Sequence, residues 1–365
     1  MVDYAAAGVD IEAGDRAVEL MKASVAASHN DTVVGGAGGF AGLIDASALV
    51  GMRRPLLASS TDGVGTKVAV AQALDIHHTI GQDLVAMVVD DIVVTGARPL
   101  LMTDYIACGK VVPEKIADIV RGIADACAQT DCPLVGGETA EHPGLMAPEE
   151  YDVAGAAVGV VEADEILGQH LVEDGDILIA LPSSGLHSNG YSLVRRIIAD
   201  AGWQWDRHVP QWGRTVGEEL LEPTRLYTRD CLQMVNDLGG AVHAFSHITG
   251  GGLGANISRV IPSGMVATIE RDSWQVPAVF STLAQLGQVP WEDMEQTLNL
   301  GVGMVAVVDE DSVSAVVETY EGAWVLGQVK KCRELPAVGT GEKLVQGAKG
   351  VDAGAAWLRG EYRLG

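Results

Sequence analysis

The stretch Ser59 to Lys67, SSTDGVGTK, sets a carboxylate, two glycines, a hydroxyl and a lysine side by side. The preceding PLLASST reads as a short buried strand and KVAVAQAL as the start of a helix, so Gly63 and Gly65 fall where the backbone must turn sharply. Glycines there let an anion approach the amides of Gly63, Gly65 and Thr66, and the start of a helix favours negative charge. Asp62 is placed to take a hard cation through oxygen. Lys67 follows as a cation for a phosphoryl group. A P-loop needs GxxxxGK followed by Ser or Thr, so the pattern is a different one. Its chemistry is still the holding of a metal-bound polyphosphate.

Other clusters share this character. GGAGGF, from Gly35 to Phe40, fits neither helix nor strand and reads as a mobile loop carrying Gly35, Gly36, Gly38 and Gly39. LVGGETAEHPG offers a second strand-to-loop turn with Gly136, Gly137, Glu138 and Thr139. A helix from Gly81 to Thr95 carries Asp83, Asp90 and Asp91 on an otherwise apolar surface, and acids so placed either meet solvent or hold a cation. Further on, SSGLHSNGYSLVR sets Ser183, Ser184, His187, Ser188 and Asn189 before a helix. HITGGGLGANI sets Thr249, Gly250, Gly251 and Gly252 before another. Two such anion-ready turns suit a substrate bearing a ribose phosphate. His187 and His247 beside them are the candidates for proton transfer, because imidazole titrates near neutral pH. Which of the two acts is left open by the sequence.

These residues need a frame. A chain of 365 residues exceeds what one core organises, which predicts two domains. The first half alternates helix and strand signals, and the helix Pro113 to Thr130 has proline in its first turn and Ile116, Ile119, Val120, Ile123 and Cys127 on one face. A polar, acidic stretch near Glu165 to Gly175 predicts a boundary, giving an N-terminal domain over 1–168 and a C-terminal α+β domain over 169–330. In the second, a long helical stretch is expected from about Gly217 to Leu238. Residues 331–365, rich in Gly, Ala and charge, read as a weakly structured tail.

Composition excludes some classes. Lys and Arg total 24 against 49 Asp and Glu, a formal charge of −25, which argues against nucleic acid as a partner. An acidic chain that binds phosphates must reverse its sign locally, through divalent cations, helix N-termini and a few lysines. No apolar run approaches the roughly 18 residues of a membrane helix. Five scattered cysteines without zinc spacing read as reduced thiols of a soluble cytoplasmic protein.

Several long motifs occur in one order: YAAAGVDIEAG at Tyr4, GGAGGFAGLID, SSTDGVGTK, TIGQDLVAMVVDDIVVTGARP from Thr79, LVGGETAEHPG, SSGLHSNGYSLVR, EPTRLY from Glu222, HITGGGLGANISRVIP and LNLGVGMVAVV from Leu298. Through them the chain resembles the phosphoribosylformylglycinamidine cyclo-ligase, or aminoimidazole ribonucleotide synthetase, family from about Tyr4 to Val308. The resemblance implies two α/β domains in an ATP-binding synthetase fold, with N-terminal sheets pairing across a homodimer. It implies ATP and Mg²⁺, with Asp62 and Asp91 as metal ligands, although Asp90 stands where the family more often has Asn and the choice between the two acids stays open. It also implies a glycine-loop lid over the triphosphate, Gly137, Glu138 and Thr139 along the nucleotide, and a small ribonucleotide substrate. The implied reaction closes an imidazole ring: ATP phosphorylates a formamide oxygen, the amidine nitrogen attacks the same carbon, and phosphate leaves. Mg²⁺ and Lys67 would neutralise the phosphoryl group in flight. Alternatives are another ATP-using enzyme of the same superfamily, such as formylglycinamidine ribonucleotide synthase or a small-molecule kinase, or a nucleotide-binding regulatory module without turnover.

Overall fold

A computed structural model of the chain describes residues 10–36, 39–347 and 350–365. Residues 4–9 of the motif at Tyr4 and the candidate Gly38 lie outside these residues. The chain divides into two compact units, one formed by residues up to Val93 with Ala97–Glu165, the other by Val94–Gly96 with Ile166–Gly365. The division falls after Glu165 rather than after residue 168, and the second unit also takes in a three-residue piece that a reading in chain order does not assign to it.

The first unit is built on a four-stranded sheet in the order Pro55–Gly63, Tyr151–Glu162, Arg98–Cys108, Leu134–Glu141. Its first three strands are antiparallel and the last pairs in parallel. Helices Thr79–Val93 and Pro113–Thr130 pack together, the former also against the sheet, and helix Ile11–Ala27 lies along the second of them. Pro113 at the helix start and the buried side chains of Ile116, Ile119, Val120, Ile123 and Cys127 carry out the predicted amphipathic pattern. Helix Ile11–Ala27 escaped the sequence reading; Asp10 caps it by accepting from the Ala13 amide at 3.0 Å.

The second unit holds a seven-stranded mixed sheet in the order Val242–His247, Val302–Val308, Ile177–Pro182, Trp324–Lys331, Met265–Glu270, Ala355–Arg359, Lys343–Gln346. Its second strand, Val302–Val308, is buried at every position, as a strand covered on both faces must be. The expected long helix is two, Val216–Leu220 and Thr228–Leu238, because Pro223 between them cannot donate a helical hydrogen bond. The tail also departs from expectation, since two of the seven strands come from it. Strand Ala355–Arg359 lies parallel to Met265–Glu270 and buries Ala355, Ala356 and Leu358.

Candidate functional site

Sheet register places the first-unit candidates. Asp62 pairs with Gly155, Gly155 with Asp104, and Asp104 with Gly137, so one row crosses all four strands. Directly opposed residues share a face. A Cβ on Gly155 would meet Leu84 of helix Thr79–Val93, so the row faces the helices. Asp62 is exposed and accepts from the Gly63 amide at 2.7 Å. The backbone turns as expected: Gly65 has φ +72°, a short 3-10 turn Gly65–Lys67 follows, and helix Val68–Leu74 begins. Gly65 and Thr66 are exposed.

Lys67 turns inward from this turn. Its side chain is fully buried, with Nζ 2.9 Å from Oδ1 of the equally buried Asp83. The cation held by the acidic helix face is therefore a lysine, and the ammonium expected at a phosphoryl group faces inward, where it fixes the turn to helix Thr79–Val93. Of the remaining acids on that helix, Asp90 is fully buried and Asp91 exposed, which leaves Asp91 the accessible one.

Strands Val33–Val34 and Leu43–Ile44 pair antiparallel, and the described glycines Gly35, Gly36 and Gly39 fall between them in the chain. Gly36 and Gly39 line a cavity of about 710 Å³ together with Gly137, Glu138 and Thr139, so two of the sequence clusters meet there. Gly35, φ +88°, adjoins them. Asp104 lines the same cavity and was missed by the sequence reading. A carboxylate at a helix-facing position of the apolar strand LLMTDYIAC was the available signal. Loss of hydration pushes its carboxyl up to about 7.

Among the described residues no group of three or more His, Cys, Asp or Glu is placed to hold a metal. Asp62 and Asp91 are each exposed and of the donor type that Mg²⁺ takes, which binds one or two carboxylates and completes its octahedron with water and phosphate oxygens.

In the second unit the two expected turns adjoin. The Asn189 side-chain oxygen lies 3.3 Å from where a Cβ of Gly250 would stand. Gly251 and Gly252 have φ +105° and +69°, and a Cβ on Gly252 would stand 1.8 Å from the Glu295 carbonyl oxygen, so the turn closes only with glycine. Asn256 clamps it, donating to the carbonyls of Thr249 and Gly252. Ser183 donates to Gly185 O and to Asn299, Ser184 donates to Pro223 O and accepts from the Arg225 amide, and Ser188 is buried. The Arg225 guanidinium, passed over by the motif reading, donates to Pro182 O and pairs with Asp230 at 2.9 Å.

His187 and His247 flank the buried Tyr227, with ring centroids 6.1 and 6.4 Å from it. Tyr227 donates to Pro182 O at 2.7 Å, and the Ser184 amide donates to His187 Nε2 at 3.3 Å. The rings are 1% and 6% exposed, so both pack behind the turns rather than lining an open surface.

Family profiles match both units: AIR synthase related protein, N-terminal domain, over residues 44–161, and AIR synthase related protein, C-terminal domain, over 173–338. Phosphoribosylformylglycinamidine cyclo-ligase of a Geobacillus species is 48% identical over 90% of this chain and 95% of its own length. That of Synechocystis is 48% identical over 88% and 94%. Among solved structures, hydrogenase maturation protein HypE in complex with ATP matches with a TM-score of 0.65 at 17% identity, over 98% of this chain and 97% of its own. Thiamine-monophosphate kinase from Stenotrophomonas maltophilia matches at 0.63 and 17%, over 93% and 97%. At such identity these two show a shared fold. The near full-length identity to the cyclo-ligases and the match of both domains show that this chain belongs to the phosphoribosylformylglycinamidine cyclo-ligase family of AIR synthase related proteins.

Proposed function

We infer that this chain is an ATP-dependent cyclo-ligase that converts formylglycinamidine ribonucleotide to 5-aminoimidazole ribonucleotide, releasing ADP and phosphate, in purine biosynthesis. The observation that carries this is the 48% identity along nine-tenths of the chain to proteins of that name. ATP phosphorylates the formamide oxygen, because an amide oxygen leaves poorly. The amidine nitrogen of the same substrate then attacks the carbon, and its intramolecular position removes much of the entropic barrier. Asp62 and Asp91 hold Mg²⁺, which when bound neutralises charge on the transferring phosphoryl group. Amides of Gly63, Gly65 and Thr66 orient the phosphates, Gly35, Gly36 and Gly39 cover them, and Gly137, Glu138 and Thr139 line the nucleotide. In the second unit Ser183, Ser184, Ser188, Asn189 and Thr249 to Gly252 hold the ribose phosphate, with Arg225 as local cation.

A second copy of the chain pairs on the sheet face turned away from the helices, a reading supported by the exposure of Leu57 and Tyr105 on that face. The cytoplasm is the proposed location, in keeping with five free cysteines, four of them buried. No helix among the described residues is long and apolar enough to cross a membrane. The deciding experiment incubates the protein with formylglycinamidine ribonucleotide, ATP and Mg²⁺ and follows ADP and the aminoimidazole product together. ADP release with thiamine monophosphate and none with this substrate would overturn the reading in favour of a kinase.

A further inference from the structure

The cavity of about 710 Å³ in the first unit has a polar group to which the roles above give no work. Its walls include Met21 and Val25 of helix Ile11–Ala27 and Val120 of helix Pro113–Thr130, all apolar. Asp104 projects among them from the middle of the sheet. Among the described residues no side chain hydrogen-bonds its carboxyl, and desolvation is the larger influence on it, raising it to about 7. Gly137 on the neighbouring strand makes room for it: a Cβ there would stand 1.7 Å from Asp104 Oδ1. A carboxyl in apolar surroundings with no more than a hydrogen bond from its own amide is costly. That cost is recovered when a ligand supplies the partner.

The chemistry of the group narrows the ligand. A carboxyl half protonated near neutrality offers, in its neutral form, an O–H donor beside a carbonyl acceptor. Adenine presents the complementary pair on one edge, the N6 amine as donor and N7 as acceptor, whereas guanine shows two acceptors, N7 and O6, on that edge. The apolar walls suit a flat purine ring. Gly36 and Gly39 line the same space, and Asp62, the proposed Mg²⁺ ligand, lies two strands away in the same row, about 10 Å at normal strand spacing. A nucleotide with its base in the cavity therefore has its phosphates on the side of the candidate metal ligand.

We propose that Asp104 is the specificity-determining residue for the nucleotide, donating to a ring nitrogen of adenine and accepting from its exocyclic amine. This deepens the ATP reading of the proposed function and rests on it. The ionisable groups that face Asp104 or its cavity are Glu138, Lys22, whose Nζ is 2.5 Å from Glu19 Oε2, and Cys127 behind it, whose thiol burial pushes well up. Asp104 is then the group that changes charge in the cavity as pH passes 7.

The test measures binding of non-hydrolysable ATP and GTP analogues by calorimetry between pH 6 and 8, with the full chain and with Asp104→Asn and Asp104→Leu. The parent is expected to lose affinity for the ATP analogue several-fold as pH rises through 7. Asp104→Asn, which keeps a donor and an acceptor at every pH, is expected to bind comparably with a flat profile. Asp104→Leu is expected to lose about tenfold or more in affinity and most of the preference over GTP, with KM for ATP rising and kcat changing little. An Asp104→Leu protein that binds as the parent does, with the same ATP to GTP ratio, overturns the proposal. Should that variant fail to fold, a profile for Asp104→Asn as steep as the parent's overturns it. A parent that forms no aminoimidazole ribonucleotide with any nucleotide sinks the proposed function instead, whereas a parent that turns over with selectivity indifferent to Asp104 sinks only this assignment.

Discussion

Asp62 and Asp104 stand in one row of the four-stranded sheet, joined through Gly155 and turned to the same face. The same residue type meets two environments there. Asp62, at the end of an edge strand, is exposed, while Asp104, in an interior strand, is raised to about 7 by loss of hydration. Position along a single row thus separates an exposed carboxylate from a desolvated one poised between two protonation states.

That difference predicts a pH dependence of stability. A carboxyl with a folded pKa near 7 and an unfolded value near 3.9 binds more protons folded than unfolded between those limits. Its contribution to stability is therefore full below about pH 4 and is lost as pH rises through 7, by up to about 4 kcal/mol. In urea titrations Asp104→Asn should flatten this slope and gain on the parent from pH 6 to pH 8. An unchanged slope would remove Asp104 as its source.

Asp62 should behave oppositely, with its loss felt in turnover rather than in folding. Exposed at the end of an edge strand, it can lose its charge at the cost usual for a surface substitution, within about 0.5 kcal/mol. Removing a ligand to the cation that neutralises a transferring phosphoryl group costs on the order of a hundredfold in rate or more. Asp62→Asn should accordingly abolish most ATP-dependent ring closure, read as ADP release, with an unchanged urea midpoint. Full activity in that variant would take Asp62 out of the mechanism.

Lys67 and Asp83 form a buried pair 2.9 Å apart, so breaking it should unfold rather than merely slow the enzyme. Removing one partner strands a buried charge, at about 3–5 kcal/mol. Lys67→Met should show that loss in thermal melting, and Lys67→Met with Asp83→Leu should regain most of it. A Lys67→Met protein as stable as the parent but unable to transfer phosphate would restore Lys67 to the catalytic role expected from sequence.

Much of this frame is legible in the residues themselves. The strand, turn and helix around TDGVGTK follow from β-branched and glycine placement, and the helix Pro113–Thr130 from a proline start and a regular apolar stripe. What local pattern cannot show is which side of an element faces another. Lys67 reads as a phosphate ligand, and only packing shows it against Asp83; His187 and His247 read as proton carriers, and only the fold shows that both are buried. Asp104 is hidden in an apolar strand because only cross-strand register reveals Gly137 beside it.

The tail gives the last prediction. The family profile stops at residue 338, yet the polypeptide beyond it supplies partners to a buried ion pair. Arg271 grips Glu295 with two hydrogen bonds, 2.8 and 3.1 Å, and both side chains are nearly inaccessible. Tail residues complete the cluster: Arg271 donates to Gly341 O at 2.6 Å, Tyr362 donates to Glu295, and Lys343 Nζ stands 3.6 Å from it. The Tyr362 ring also packs on Trp274 and Trp291, with centroids 5.5 Å from each. Tyr362→Phe leaves that packing and removes one donor to a buried carboxylate, at about 1–3 kcal/mol. Ending the chain at 338 removes the whole cluster and bares the edge of strand Met265–Glu270, an open template for pairing with other chains. The truncated protein should be cleaved by protease in its second unit far faster than the parent and should aggregate, with Tyr362→Phe between the two. Equal resistance of all three would mean that the tail strands ride on the unit without holding it together.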